Sequence, residues 1–155
     1  TDSSRAMGKA RIQGVDLLGR KVIMHDGAAY KLFAARVATT TTRAHPREAL
    51  TTHAGSLDAR LARLSQVTTQ LWAAGDANVT LANASVYLEA FGHIAIAWIW
   101  LAQALASDGK AGDFYDGKRA ATQYFFRWEL PKVDAQLDLL ASLDRTTLDM
   151  KDEWF

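Results

Sequence analysis

Cysteine is absent from the 155 residues. That excludes disulfides and thiolate metal sites and suits a reducing compartment. Proline occurs only twice, so little interrupts a helix, and the abundant Ala, Leu, Arg and Gln favour one. An excess of one charge sign is also missing. Lys plus Arg is 18, Asp plus Glu is 17, and the net charge is +1. Nothing in that balance draws the chain to nucleic acid. There is no alternating strand pattern, no fixed-period repeat and no glycine-rich phosphate loop. Asp16, Arg20 and Lys21 break the first apolar stretch, so it reads as an amphipathic helix rather than a secretory leader, and a cytoplasmic location is expected.

What is present is helical periodicity, in a chain of one-domain length. Its centre is residues 85–107, SVYLEAFGHIAIAWIWLAQALAS, with two of the five tryptophans, Trp98 and Trp100. Val86, Ala90, Ile94, Trp98, Leu101 and Leu105 mark one face; Leu88, Phe91, Ala95, Ile99 and Ala102 mark another. A helix apolar nearly all round is a core helix or a membrane span. Glu89, Gly92, His93 and Gln103 interrupt it, and the unbroken run falls short of the ~20 residues a span requires. A central core helix is expected, not a membrane span.

Residues 1–11 are polar and aperiodic, a flexible or vector-derived end. Ile12, Val15, Leu18 and Val22 start an amphipathic helix that ends near Met24. Asp26 and Gly27 form a turn, with Asp26 capping a second helix that carries Ala29, Leu32, Phe33 and Val37 inward. The β-branched run Thr39 to Thr42 is expected to fray it, before a long connection over residues 43–55. Ser56 caps a third helix, with Leu57, Leu61, Leu64, Val67 and Leu71 inward and Arg60, Arg63 and Gln70 toward solvent, up to Gly75. After the central helix, Asp113 caps a fifth, with Phe114, Ala121, Phe125 and Trp128 as its stripe. Pro131 predicts a kink or a break into two helices. Val133, Leu137, Leu140 and Leu143 continue beyond it, and residues 148–155 form a tail. The expected fold is all-α: an antiparallel bundle of about five helices over residues 12–147, with a central apolar helix and a Pro-kinked last helix.

Chemistry-bearing groups are sparse. Glu89 and His93 share a helix face, but the carboxylates and second histidine of a di-iron set are absent; a buried hydrogen-bonded pair is the plainer reading. His45 and His53 lack a third ligand and read as solvated loop residues. His53, Ser56 and Asp58 lie close in sequence without the sharp turn that exposes a nucleophile. Lys118, Arg119 and Arg127 interleave with Tyr124, Phe125, Phe126 and Trp128. The aromatics fall at core spacing, which favours an ordinary amphipathic helix over a single-strand binder. No catalytic residue and no metal ligand set is assigned.

Two blocks carry a resemblance: IQGVDLLGRKV at residues 12–22, and NASVYLEAFGHIAIAWIWLAQALA with DFYDGKRAATQYFFRWELP between residues 83 and 131. They resemble the C-terminal part of the flavin-dependent acyl-CoA dehydrogenases, most of all the long-form branch that includes 3-methylmercaptopropionyl-CoA dehydrogenase. The resemblance implies FAD and α,β-dehydrogenation of an acyl-CoA thioester in a parent enzyme. In that family a Glu-Gly-Thr turn precedes the Ile-Gln pair, and its Glu is the base. Here Met7, Gly8 and Lys9 stand at those places, and a thioether cannot accept the proton, a contribution worth ~10²–10⁴-fold. Gln13 matches a position near the ADP end of FAD and is the one cofactor-binding candidate. The expected role is a structural and oligomerisation domain, itself non-catalytic and without bound flavin. Its expected partners are the remainder of the parent enzyme and further copies of itself. The alternative is a free-standing helical module that binds a protein or an apolar ligand.

Overall fold

The computed structural model describes residues 2–154, apart from the side chains of residues 2–7 and 152. The chain is an all-α bundle, with no strand among the described residues. Its long helices are α1 (Asp2–Asp16), α2 (Met24–Ala44), α3 (Glu48–Ala73), α5 (Ala84–Ala106), α6 (Asp113–Tyr124) and α7 (Lys132–Ala141). Two short ones, α4 (Ala77–Leu81) and α8 (Thr146–Asp149), complete the set. Helix α5 packs against α1, α2, α3, α6 and α7, and α3 also packs on α2 and α7. The run rich in tryptophan is thus the hub.

The hub is not surrounded. Ala90, Ile94, Ala97 and Leu101 are fully buried, whereas Ile96 and Ile99 are 46% and 50% exposed. On the helical wheel those two lie between the side facing α2, marked by Phe91 and Trp98, and the side facing α6, marked by Trp100. By length and composition α5 could cross a membrane, but a core helix passes the same test, and α5 has five helical neighbours. The first of its two apolar faces makes the core; on the second, Phe91 packs inward while Ile99 stays open.

Helix α1 runs back to Asp2 rather than starting at Ile12, and its last turn gives way to a π-helical turn at Leu17–Lys21. Leu18 is buried there, while Ile12 is 70% exposed. Gly14 lies against the start of α5. A Cβ on it would sit 2.3 Å from the Ala84 carbonyl oxygen, so the two backbones meet directly. Next, His25, Asp26 and Gly27 are all left-handed, at φ 52°, 57° and 70°. Only glycine adopts that without cost; each of the others spends about 1–2 kcal/mol. The turn at Asp26 is therefore present. Its carboxylate accepts from Lys31 Nζ at 2.6 Å rather than from the helix amides.

Helix α2 does not fray at its threonines. Thr39 and Thr40 donate to the carbonyls of Ala35 and Arg36, at 2.9 and 3.2 Å, and Thr41 donates to Ala38 at 3.1 Å. Thr40 Oγ1 also accepts from Trp98 Nε1 at 2.7 Å, which ties α2 to α5. Tertiary bonding outweighs the small propensity cost. The expected inward Ala29 and Leu32 face solvent instead, Leu32 at 61%. Phe33 does turn inward, stacked on Phe91 at 4.8 Å and edge-on to Trp98 at 5.9 Å. Trp98 is half-buried. Trp98→Phe removes the bond to Thr40 and is expected to cost ~0.5–1.5 kcal/mol. A urea midpoint equal to wild type would show that the bond contributes nothing.

The expected long connection is only a short link, because α3 begins at Glu48 directly after Pro46 and Arg47. Ser56 is therefore inside α3 and accepts from the Arg60 guanidinium instead of capping. Arg60 and Arg63 reach α7, bonding Asp134 at 2.6 Å and Asp138 at 3.5 Å, while Gln70 Nε2 donates to the Ala141 carbonyl at 2.8 Å. Helix α3 ends at Gly75, which is left-handed at φ 72°.

Past α5, Gly112 rather than Asp113 is the N-cap of α6. Pro131 divides the last helical stretch. Its ring would clash with a helical carbonyl four residues back, and the chain answers with a π-helical turn at Phe125–Glu129, where Leu130 N–H reaches the Phe125 carbonyl at 2.9 Å. The extra residue rotates the stripe. Phe126 and Leu130 are buried and Trp128, expected inside, is 61% exposed; Phe114, also expected inside, is 69% exposed in α6 ahead of the π turn, where that shift plays no part. Val133, Leu137 and Leu140 of α7 are buried as the spacing predicts.

Candidate functional site

The first turns of α3, the end of α5, and α6 with its π turn enclose a groove of about 390 Å³. Leu50 and Ala104 supply apolar floor, and Thr52, Thr122 and Gln123 supply hydroxyl and amide groups. The charged groups on its walls are Arg119 and Arg127, with His53 between helices, and no lining residue is a carboxylate. Phe126, four residues past the buried Thr122, is itself buried, and His53 stacks face to face on that ring at 4.5 Å.

The two arginines differ. Arg119 is pinned: Nη1 donates to the carbonyls of Ser107 and Lys110, at 3.2 and 3.0 Å, and Nη2 pairs with Asp116. It closes the carbonyl end of α5, where a cation is favoured. Arg127 makes no hydrogen bond or ion pair among the described residues. Burial pushes the His53 imidazole below its ordinary range, and the Arg127 charge adds to that. His53 is therefore neutral at neutral pH.

The other candidates separate. His53 is on helix α3 rather than in a loop. His45 pairs with Asp58, Nε2 to Oδ2 at 2.7 Å; neither histidine is simply solvated. The sequence-close trio His53, Ser56 and Asp58 thus points to three different partners, and no nucleophile meets a base. Glu89 and His93 are not a side-chain pair. His93 Nδ1 faces the Glu89 backbone carbonyl at 2.9 Å, and Nε2 lies 3.6 Å from the Glu129 carboxylate. Lys132 at 2.7 Å holds Glu129 below the usual carboxylate range, with His93 adding to it. Among the described residues no group of three His, Asp or Glu could hold a metal ion.

Lys118 lies over the rings of Trp100 and Phe114, at 5.6 and 5.5 Å, so that basic and aromatic mixture is partly self-paired. Gln13 is exposed on α1. The small groove beside it, about 200 Å³, takes Arg11, Ala84 and Ser85 but not Gln13. That volume is below the ~300–1,000 Å³ typical of ligand pockets. The Met7 side chain lies outside the described residues.

The structure thus defines an all-helical bundle with a groove between α3, α5 and α6 that is lined by two arginines and no carboxylate. Residues 33–151, from within α2 to beyond α8, match the family described as acetyl-CoA dehydrogenase C-terminal like, and the chain belongs to that family. No curated protein matches the chain.

Sequence reasoning missed Arg127 as a special residue and placed His53 in a loop. The signal was the spacing of Phe126, four residues past Thr122, which puts both on the inward face of the helix.

Proposed function

We propose that this chain is the C-terminal helical domain of an FAD-dependent acyl-CoA dehydrogenase, of the long-form branch resembling 3-methylmercaptopropionyl-CoA dehydrogenase. The family match over residues 33–151 carries the reading. The domain contributes packing and subunit contact, while the α,β-dehydrogenation of the acyl-CoA and the FAD belong to the rest of a cytoplasmic parent enzyme. Ile12, Ile96 and Ile99, all exposed, are the surfaces that the parent or a second copy covers. Gln13, on the exposed side of α1, is the residue offered toward the ADP end of FAD in that assembly.

Two features support a non-catalytic role for the chain alone. The groove near Gln13 holds about 200 Å³, and the groove between α3, α5 and α6 is lined by no carboxylate among the described residues. The test is an assay of the purified chain with acyl-CoA thioesters and an artificial electron acceptor. No turnover is expected; sustained reduction of the acceptor would overturn the proposal.

A further inference from the structure

We infer that the groove between α3, α5 and α6 binds a small organic oxyanion, a carboxylate or phosphate on a short apolar body, with Arg127 as its principal contact. This goes beyond the family reading and does not depend on it. The groove has the volume of a small-molecule pocket. Its walls carry two guanidinium groups and no carboxylate. Arg119 is already held by Ser107, Lys110 and Asp116, which offsets its charge and leaves Arg127 as the cation to be matched. Arg127 has no partner among the described residues, and its planar fork suits an oxyanion.

Gln123 and Thr52 add polar groups on the walls, and Thr122, already donating to the Lys118 carbonyl at 2.8 Å, adds acceptor capacity. Leu50, Ala49 and Ala104 give the apolar floor that an inorganic ion would leave unused. A long acidic peptide is a poorer fit, because the cations are gathered in one cavity rather than spread along a surface. An uncharged apolar ligand would leave Arg127 without a partner.

The imidazole of His53, stacked on Phe126 beside Arg127, is a built-in reporter. Its ring signals are identified by proton NMR as those lost in His53→Gln. The wild-type chain is titrated at constant pH and ionic strength with hexanoate and, separately, with butyl phosphate. Saturable displacement of the His53 signals by either probe supports the site, and the stronger of the two names the headgroup. Arg127→Gln should weaken that probe by about 10–100-fold, the equivalent of one charge-assisted hydrogen bond. Arg127→Lys should weaken it less. Arg127 is exposed, so both variants should keep the wild-type helical circular dichroism. The inference is overturned if neither probe moves the His53 signals, or if the response in Arg127→Gln equals that of wild type. It is also overturned if acetate and inorganic phosphate bind as tightly as the longer probes.

Discussion

Replacing Tyr87 with alanine is expected to destabilise the bundle by about 3–5 kcal/mol, the range for deleting a large buried aromatic. Tyr87 is fully buried and stands at the top of the completely enclosed side chains by volume. It projects from the hub α5 toward α3, where its hydroxyl meets Thr68 Oγ1 at 2.8 Å. Thr68 in turn donates to the Leu64 carbonyl at 2.7 Å. Burial pushes the Tyr87 phenol well above its ordinary range, so it stays neutral at all practical pH. Tyr87→Phe separates the two contributions. It keeps the ring and removes the hydroxyl, leaving Thr68 its bond to Leu64, and should cost only ~0.5–1.5 kcal/mol. Urea midpoints at unchanged slope measure both. Equal losses for the two variants would show that the hydroxyl, and not ring packing, holds α5 to α3.

The second large effect is expected at Gly14. A side chain there has no room: its Cβ would lie 2.3 Å from the Ala84 carbonyl oxygen and 2.6 Å from the carbonyl carbon. Both are backbone atoms, so a rotamer change cannot relieve the contact. Gly14→Leu gains about 0.5–1 kcal/mol of helix propensity but forces α1 off the start of α5. Overpacking typically costs ~1–3 kcal/mol, and the detached helix also loses the burial around Leu18. The net sign is destabilising, and the loss is local. Hydrogen exchange should show α1 amides losing protection while α3 and α7 keep theirs. Unchanged protection in α1 would mean that the close approach of Gly14 and Ala84 does not hold α1 in place.

Much of this fold was legible in the residues. The apolar stripes of α3 and α7 became core: Leu57, Leu64, Val67, Leu137 and Leu140 are buried as their spacing predicts. Gly75 ends α3, and Pro131 divides the last helical stretch. Local propensity misled where a tertiary partner intervened. Thr40 bonds back to the Arg36 carbonyl within α2 and accepts from Trp98, far along the chain, which ties α2 to α5. Arg60 looked solvated because its acceptor, Asp134, lies on another helix. Helical phase failed beyond the π turn. Trp128, expected inside, points outward past the extra residue, and periodicity extrapolated through a proline cannot register that.

The candidate groove was the least legible part. No motif joins His53, Arg119 and Arg127; they meet because α3 starts at Glu48 and the inward face of α6 continues to Phe126. The Glu89–His93 pair looked more chemical in the sequence than it is in the fold. A helix places residues four apart on one face, but His93 turns to Glu129 because that carboxylate approaches from the next element. Membership in the family was visible in the residues between 83 and 131, and it survives the change of register inside them.

On the proposed reading the bundle is scaffold, and the flavin is held elsewhere in the parent enzyme. The direct measurement is a titration of the purified chain with FAD, monitored by isothermal calorimetry and by visible absorption after removal of free cofactor. The expected result is no binding heat and a colourless protein. Stoichiometric retention of FAD with a shifted flavin absorption band would contradict it.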